Sequence, residues 1–333
     1  MRAAACAALL LLVALVAGCG GSGSSGGGAS SPNAKSAPVS PQIAAAQHPA
    51  AGDFPRADGR TLQQIADKLQ AGPQVGLATS VYTPGRNRLA FGVIDSAGGY
   101  VYGKTAVFVA SSPTEPAQGP FLAPVDSLEV RPAFRSRTSA ADTGDVQAIY
   151  HTDVRLPRVG PWYVLTVTKV GSKLLGGTAQ LKVTKTSAIP AVGDPAPRIE
   201  TPTLASVGRQ VSKIDTRDPP DRMHDVSLKD VLGRKPVALL FATPALCQSR
   251  VCGPVTDIAA QLQAAYGDRV DFIHNEVYVD NDPNKGLRPQ LLAFHLTTEP
   301  WLFTIDRQGR IAARLQGAFG IEEFKQAVEA ALR

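Results

Sequence analysis

Short apolar runs bounded by turn residues fill the chain from Val75 to about Thr186. Seven of these runs have the length and the partial alternation that are typical of β-strands. They cover residues 76–82, 88–94, 105–110, 127–132, 146–156, 162–169 and 178–183. The spacing predicts an all-β, immunoglobulin-like sandwich over residues 61–187. Thr61, just before a short amphipathic stretch, is predicted to cap one helix at its start.

The pattern changes in the last third of the chain, where apolar runs alternate with amphipathic stretches. The run Val237–Phe241 predicts a strand that is buried on both faces. Pro254 then fits the first turn of a helix, because that turn needs no amide donor from it. Later runs complete the order β-α-β-α-β-β-α, which predicts an α/β fold over residues 222–333. The Pro- and Gly-rich residues 188–221 are predicted to be a linker with a lead-in segment for that fold.

The N-terminus has a different composition from both predicted domains. Arg2 precedes the apolar run Ala7–Val16, which is too short for a stable membrane anchor. The run ends in Val-Ala-Gly-Cys at residues 16–19, which resembles the lipobox of bacterial lipoproteins. That resemblance implies a signal peptide at residues 1–18, and a lipid on Cys19 that holds the protein at the outer face of the cytoplasmic membrane. Residues 19–60 are rich in Gly, Ser, Ala and Pro and are expected to form a disordered tether.

Charge and composition narrow the class of protein. A hydrophobic fraction of 44% and a charged fraction of 19% are those of an ordinary folded protein. The net charge of +6 is spread along the chain, with no dense basic run. Nucleic acid is therefore not an expected partner.

The cysteines concentrate the chemistry in one loop. The chain has four, of which Cys6 falls in the signal peptide and Cys19 is the lipid site. Cys247 and Cys252 remain, between the predicted strand 237–241 and the helix that Pro254 opens. A helix N-terminus stabilises a thiolate, so thiol chemistry is expected here.

Two further segments carry a family resemblance. Val-Gly-Asp-Pro-Ala-Pro at 192–197 and the lead-in 226–237 resemble the TlpA-like and peroxiredoxin-like branches of the thioredoxin superfamily. The resemblance covers residues 193–333 and implies a thioredoxin-like fold. It also implies that Pro300, before the third core strand, is cis and faces the cysteines, so that the catalytic residues are Cys247, Cys252 and Pro300.

The cysteine spacing departs from that family, which uses Cys-x-x-Cys. Residues five apart on a helix point about 140° apart, so one regular helix cannot direct both thiols the same way. Cys247 must therefore lie in the loop and Cys252 at or before the first helical turn. Either cysteine could be the nucleophile on this reasoning. The acid that the family buries in the preceding strand is absent from residues 237–241.

Three functions follow from these residues. The first is a membrane-anchored thiol–disulfide oxidoreductase that acts on thiols and disulfides of exported proteins and is recharged by a membrane or extracytoplasmic electron donor. The second is a non-catalytic binding module in which Cys247–Cys252 is a permanent disulfide. The third is a chaperone similar to the Sco type, with copper held by Cys247, Cys252 and His295. No other cofactor is expected.

The other histidines are expected to have structural roles. His151 fits a polar strand face better than a metal site, because the sandwich has no other soft ligand nearby. His274, on a predicted strand, is expected to be buried or hydrogen-bonded. His224 is expected to be a solvated loop residue.

Overall fold

The computed structural model describes residues 32–139 and 146–333. The predicted signal peptide and the lipid site Cys19 lie outside these ranges. Within them, no helix combines the length and the apolar character that a membrane crossing needs. Residues 31–333 belong to one compact unit. Below, residues 61–187 are called the β region and residues 188–333 the C-terminal region.

Two sheets make up the β region. The first has five strands in the order β1-β9-β8-β4-β5, and the second has four in the order β2-β3-β7-β6. The strands are β1 (Gln70–Ala71), β2 (Gln74–Leu77), β3 (Gly85–Ile94), β4 (Lys104–Ala110), β5 (Gln118–Leu122), β6 (Val125–Ser127), β7 (Ala148–Leu156), β8 (Gly160–Val170) and β9 (Lys173–Val183). All pairs are antiparallel except β1 with β9, so the first sheet is mixed.

One hydrophobic cluster joins these two sheets, with Phe91 and Tyr150 on one side and Val107, Val109 and Trp162 on the other. Alternate strand residues point to this shared core, which is why the apolar pattern predicted the strands. The predicted immunoglobulin-like topology is not confirmed. The short strands β1 and β5 also escaped the sequence pattern, because neither has an apolar run of strand length.

The C-terminal region contains a third sheet, in the order β11-β10-β12-β13. Its strands are β10 (Val237–Phe241), β11 (Asp271–Asn275), β12 (Trp301–Ile305) and β13 (Ile311–Gln316). Strand β10 is parallel to β11 and antiparallel to β12, and it is buried throughout as predicted. The third sheet is therefore mixed, with β12 and β13 also antiparallel to each other.

Among the described residues, six short or medium α-helices accompany the sheets. They are α1 (Pro41–Ala46), α2 (Leu62–Ala66), α3 (Leu228–Val231), α4 (Cys252–Tyr266), α5 (Pro289–Ala293) and α6 (Ile321–Ala331). The predicted cap is present, since Thr61 accepts a hydrogen bond from the Gln64 amide and the Gln64 side chain accepts one from the Thr61 amide. Helices α4 and α6 share a hydrophobic cluster with one face of the third sheet.

The expected disordered tether is wrong for residues 32–60. Ala34 lies in the cluster that holds α4 and α6, and Ile43 and Ala46 of α1 lie in the core between the two sheets of the β region. The side chain of Gln261 on α4 donates a hydrogen bond to the Lys35 carbonyl at 3.0 Å. The two largest apolar side chains of this segment, Ile43 and Phe54, are buried, and composition alone does not reveal this. Residues 19–31 lie outside the described ranges.

A buried polar contact fastens α6 to the β region. Asp126 of β6 accepts hydrogen bonds from the amides of Glu322 (3.2 Å) and Glu323 (2.7 Å), so it caps α6 from a different sheet. Arg88 of β3 pairs with both carboxylate oxygens of Glu323 at 2.7 Å. A Cβ at Gly320 would lie 2.3 Å from Cγ of Asp126, so only glycine permits this approach.

Candidate active site

The two cysteines lie where the spacing argument predicted. Cys252 is the first residue of α4, and Cys247 lies in the loop between β10 and that helix. Both are free thiols, and their Sγ atoms lie within 4.8 Å of each other and of a carboxylate oxygen of Glu299. The loop therefore brings together the pair that a single helix could not.

Cys247 is the more acidic and the more accessible of the two thiols. Its side chain is partly exposed, and its Sγ lies 3.2 Å from Oγ of Ser249. Hydrogen bonding from Cys252 lowers the pKa of Cys247 to about 6 against the opposing effect of burial, with smaller contributions from Ser249 and from the amides of Cys252 and Ser249. Cys247 is therefore mostly a thiolate at neutral pH.

Cys252 has the opposite properties. It is 0% exposed, and burial, followed by the neighbouring Cys247 and Glu299, raises its pKa well above the usual value for a thiol. Its Sγ lies 3.4 Å from Oε2 of Glu299, to which the thiol donates a hydrogen bond. Sequence reasoning left open which cysteine attacks a partner. Exposure and pKa both favour Cys247.

Glu299 is the site residue that sequence reasoning missed. Burial and then the charge of Cys247 raise its pKa to about 8. The family that the sequence resembles carries an acid in the strand that corresponds to residues 237–241, and this strand has none. Here the acid comes instead from the residue before Pro300. The bond between these two residues is cis, as the resemblance implies.

A cleft of about 660 Å³ opens beside this loop, between the β region and the C-terminal region. Its lining includes Gln248, Ser249 and Glu299 of the C-terminal region and residues Gly76 to Ser80 of the β region. At one end of the cleft the walls touch, because a Cβ at Gly317 would lie 1.8 Å from the Ala78 carbonyl oxygen. Gly317 also has a φ of +71°, which favours glycine. Residues 243–251, which include Cys247, are called the thiol loop below. The cleft gives a partner chain a route to this loop.

The structure does not bring His295 to the cysteines. His295 is exposed, and it belongs to none of the groups of three or more metal-ligand side chains found among the described residues. The third ligand-type group beside Cys247 and Cys252 is Glu299. His151, on β7, lies 3.2 Å from Oε1 of Glu323. That carboxylate already pairs with Arg88, which is consistent with a polar contact on the strand face.

The expectation for His224 is wrong. Its side chain is 3% exposed and lies against Asp215, Asp221 and His274. The residue before it, Met223, accepts a hydrogen bond from the His274 amide of β11 at 3.0 Å, which holds the loop from 214 to 224 against that strand. His274 is buried and hydrogen-bonded as expected, with Nε2 donating to the Ala242 carbonyl at 3.0 Å.

Comparisons with known proteins give partial structural likeness. No protein-family model matches the chain, and no curated protein matches it significantly. A solved structure described as thiol:disulfide interchange protein DsbE from Chlorobium tepidum aligns with a TM-score of 0.31 and 19% identity, over 43% of this chain and 99% of that chain. A thioredoxin-family thiol:disulfide interchange protein from Chlorobium tepidum TLS aligns over the same shares with a TM-score of 0.29 and 19% identity.

A third solved structure has another activity. The endo-β-1,4-mannanase from Thermotoga petrophila aligns with a TM-score of 0.20 and 11% identity, over 37% of this chain and 22% of that chain. At these scores none of the alignments carries an argument about function.

Proposed function

We propose that this protein is a thiol–disulfide oxidoreductase in which Cys247 is the nucleophile and Cys252 the resolving thiol. The observation that carries the proposal is the difference between two adjacent thiols. One is partly exposed with a lowered pKa, and the other is sealed with a raised pKa. Thiolate fraction and access decide which sulfur reacts first.

The reaction runs in two exchange steps. The Cys247 thiolate attacks one sulfur of a partner disulfide, which forms a mixed disulfide and releases the other partner sulfur as a thiolate that takes up a proton. Cys252 then loses its proton and attacks Sγ of Cys247, which releases the second partner thiol. Two electrons have passed to the partner, and the protein holds a Cys247–Cys252 disulfide. A dithiol donor must reduce that disulfide before the next turnover.

Glu299 is positioned to accept the Cys252 proton. While Cys247 is a thiolate, its charge raises the pKa of both Glu299 and Cys252. Formation of the mixed disulfide removes that charge, so both pKa values fall. The carboxylate can then accept a proton from the thiol that already donates to it at 3.4 Å. Formation of the mixed disulfide therefore makes the Cys252 thiol easier to deprotonate for the second exchange step.

The cleft supports binding of an extended segment of the partner. Residues Gly76 to Ser80 of the β region line it together with Gln248 and Ser249, which follow Cys247, so the β region helps to select what reaches the thiol. With the lipobox resemblance at Cys19, we place the reaction at the outer face of the cytoplasmic membrane of a bacterium. The partners are then exported proteins, and the donor is a membrane or extracytoplasmic dithiol.

Trapping of the mixed disulfide tests the proposal. The Cys252→Ser variant should accumulate a covalent adduct with a disulfide-containing peptide, whereas Cys247→Ser should form none. The unchanged chain should reduce insulin disulfides with a dithiol donor, and its reduction potential should lie near the range of exchange-active disulfides. Equal trapping by both variants would overturn the assignment of the nucleophile.

The two alternatives predict other results in the same experiments. A permanent disulfide would have a potential below about −300 mV and would resist mild dithiols. A copper carrier would bind one tight equivalent of copper that both Cys→Ser variants lose. Its donor set here would be two sulfurs and the Glu299 oxygen, which is a harder ligand than copper(I) prefers.

A further inference from the structure

A second cluster of ligand-type side chains lies away from the cysteines. It contains Asp215, Asp221, His224 and His274, whose ligand atoms all lie within 4.8 Å of one another. All four side chains are buried. Buried charges of this kind are found paired or bound to metal.

The contacts of His224 point to a missing partner. Its Nε2 lies 3.3 Å from Oδ2 of Asp215 and 3.3 Å from Oδ1 of Asp221. Neither contact is a hydrogen bond, and both ring nitrogens are buried without any hydrogen-bond partner. Separations of about 3.4 Å are those between neighbouring ligands around a tetrahedral Zn²⁺ with bonds near 2.1 Å.

His274 is oriented as a metal-bound histidine would be. Its Nε2 carries the proton, because it faces the Ala242 carbonyl, which can only accept. Its Nδ1 donates a hydrogen bond to Oδ2 of Asp221 at 2.8 Å and lies 3.8 Å from Oδ1 of Asp215, and a bound cation would take the place of the Nδ1 proton. A ligating histidine usually donates its other N–H to a carbonyl or a carboxylate in this manner.

The loop also supports the two carboxylates. Asp215 accepts hydrogen bonds from the amides of Arg217 and Asp221, and Asp221 accepts one from the amide of Met223. These bonds hold the carboxylates in place independently of the histidines. Two carboxylates and two neutral imidazoles carry a charge of −2, which a divalent cation balances.

We infer that Asp215, Asp221, His224 and His274 form a structural binding site for a divalent metal, with Zn²⁺ as the favoured ion. Two nitrogen and two oxygen donors in a closed, buried set suit four-coordinate zinc. The site contains no cysteine and does not depend on the proposed function.

The metal would fix the base of the thiol loop. Ala242, whose carbonyl is bound by His274, directly follows β10 and precedes the thiol loop. The amide of Ala245 donates to Oγ1 of Thr216, the neighbour of Asp215, at 3.1 Å. Loss of the metal should therefore loosen the segment that leads to Cys247.

The test uses the full chain in detergent with all four cysteines replaced by serine, so that no thiol binds the probe. After dialysis with Zn²⁺ and then with buffer, elemental analysis should find one zinc per chain. Co²⁺ in its place should give the intense visible bands of a tetrahedral ion without a thiolate charge-transfer band. His224→Gln should weaken zinc binding at least about 100-fold, since it removes a direct ligand. Asp225→Asn, which changes an exposed neighbouring acid, should leave zinc binding unchanged.

A melting measurement covers the case in which His224→Gln does not fold. Zn²⁺ should raise the melting temperature of the cysteine-free chain, and a chelator should reverse the rise. The inference fails if that chain retains no zinc and its melting temperature is not changed by the chelator. It also fails if His224→Gln retains as much zinc as its parent.

Discussion

Two groups of ionisable side chains meet near the C-terminal end of β10, and they differ in access to solvent. Glu299 lines an open cleft and Cys247, next to it, is partly exposed, with the buried Cys252 beside both. The side chains of Asp215, Asp221, His224 and His274 are all buried. In the open group one thiol is acidic and partly exposed and its neighbour is neither, so the two thiols can react in turn. In the closed group every side chain is buried, and neither ring nitrogen of His224 has a hydrogen-bond partner. Solvent access therefore distinguishes the proposed catalytic site, at the cysteines, from the proposed structural metal site.

The largest effect is expected from Cys247→Ser. Removing the nucleophile should lower the rate of insulin reduction by at least about 10³-fold, because no other described thiol is accessible. The initial rate with a dithiol donor measures this. The melting temperature should change little, since the side chain is partly exposed. A variant with more than a tenth of the original rate would show that the open group is not the reacting one.

Glu299→Gln should slow the second exchange step by about 100-fold, in line with the loss of a general base. The mixed disulfide with a peptide should then accumulate in single-turnover experiments, while its formation keeps its rate. The matched control is Glu115→Gln, an exposed acid paired with Arg158, which should behave like the unchanged chain. Slower formation of the mixed disulfide instead would assign Glu299 to the first step.

The reactivity of Cys247 should depend on pH with a midpoint near 6. Because its pKa is lowered, the thiolate is present above that pH and is lost as the pH falls through it. Alkylation by iodoacetamide should therefore fall about fivefold from pH 6 to pH 5, whereas an ordinary thiol has its midpoint near 8.5. Cys252→Ala removes the largest stabilising contact and should move the midpoint upward. A midpoint of 8 or more in the unchanged chain would show that the pKa of Cys247 is not lowered.

Ser249→Ala should have the smallest effect. The Ser249 hydroxyl is one of several groups that stabilise the thiolate, and a hydrogen bond of this kind contributes about 1 kcal/mol. The alkylation rate at pH 6 should fall by no more than about fivefold, and the difference should vanish near pH 9. Ser111→Ala, a serine in the β region, is a matched control. If Ser249→Ala lowered the rate more than Cys252→Ala does, then Ser249 rather than Cys252 would be the main group that stabilises the thiolate.

Local pattern predicted most of the strands and the location of the chemistry. Apolar runs gave β3, β4, β8 and β10, and helical geometry placed Cys247 in the loop and Cys252 at the start of α4. These features depend on residues that are close in sequence. The order of strands and helices along this region was also predicted, but the strand order within the third sheet, β11-β10-β12-β13, was not.

The rest depends on residues that only the folded chain brings together. Asp221 and His274 are 53 residues apart, and Cys252 and Glu299 are 47 apart. Residues so far apart in the sequence produce no periodic pattern that would reveal their contact. The burial of Ile43 is a similar case, because a single apolar residue in a polar, proline-rich segment resembles a tether until its binding surface is known.

The contact of α6 with Asp126 and Arg88 limits how this protein can be divided. A fragment that starts at residue 188 would retain α6 but lose its cap, and the carboxylate of Glu323 would lose its guanidinium partner. An acid buried without its partner destabilises a fold by about 3–5 kcal/mol, which is a large share of the stability of a small domain. The C-terminal region is therefore not an independently stable domain. A recombination event that transferred it to another gene would have to transfer β3 and β6 as well.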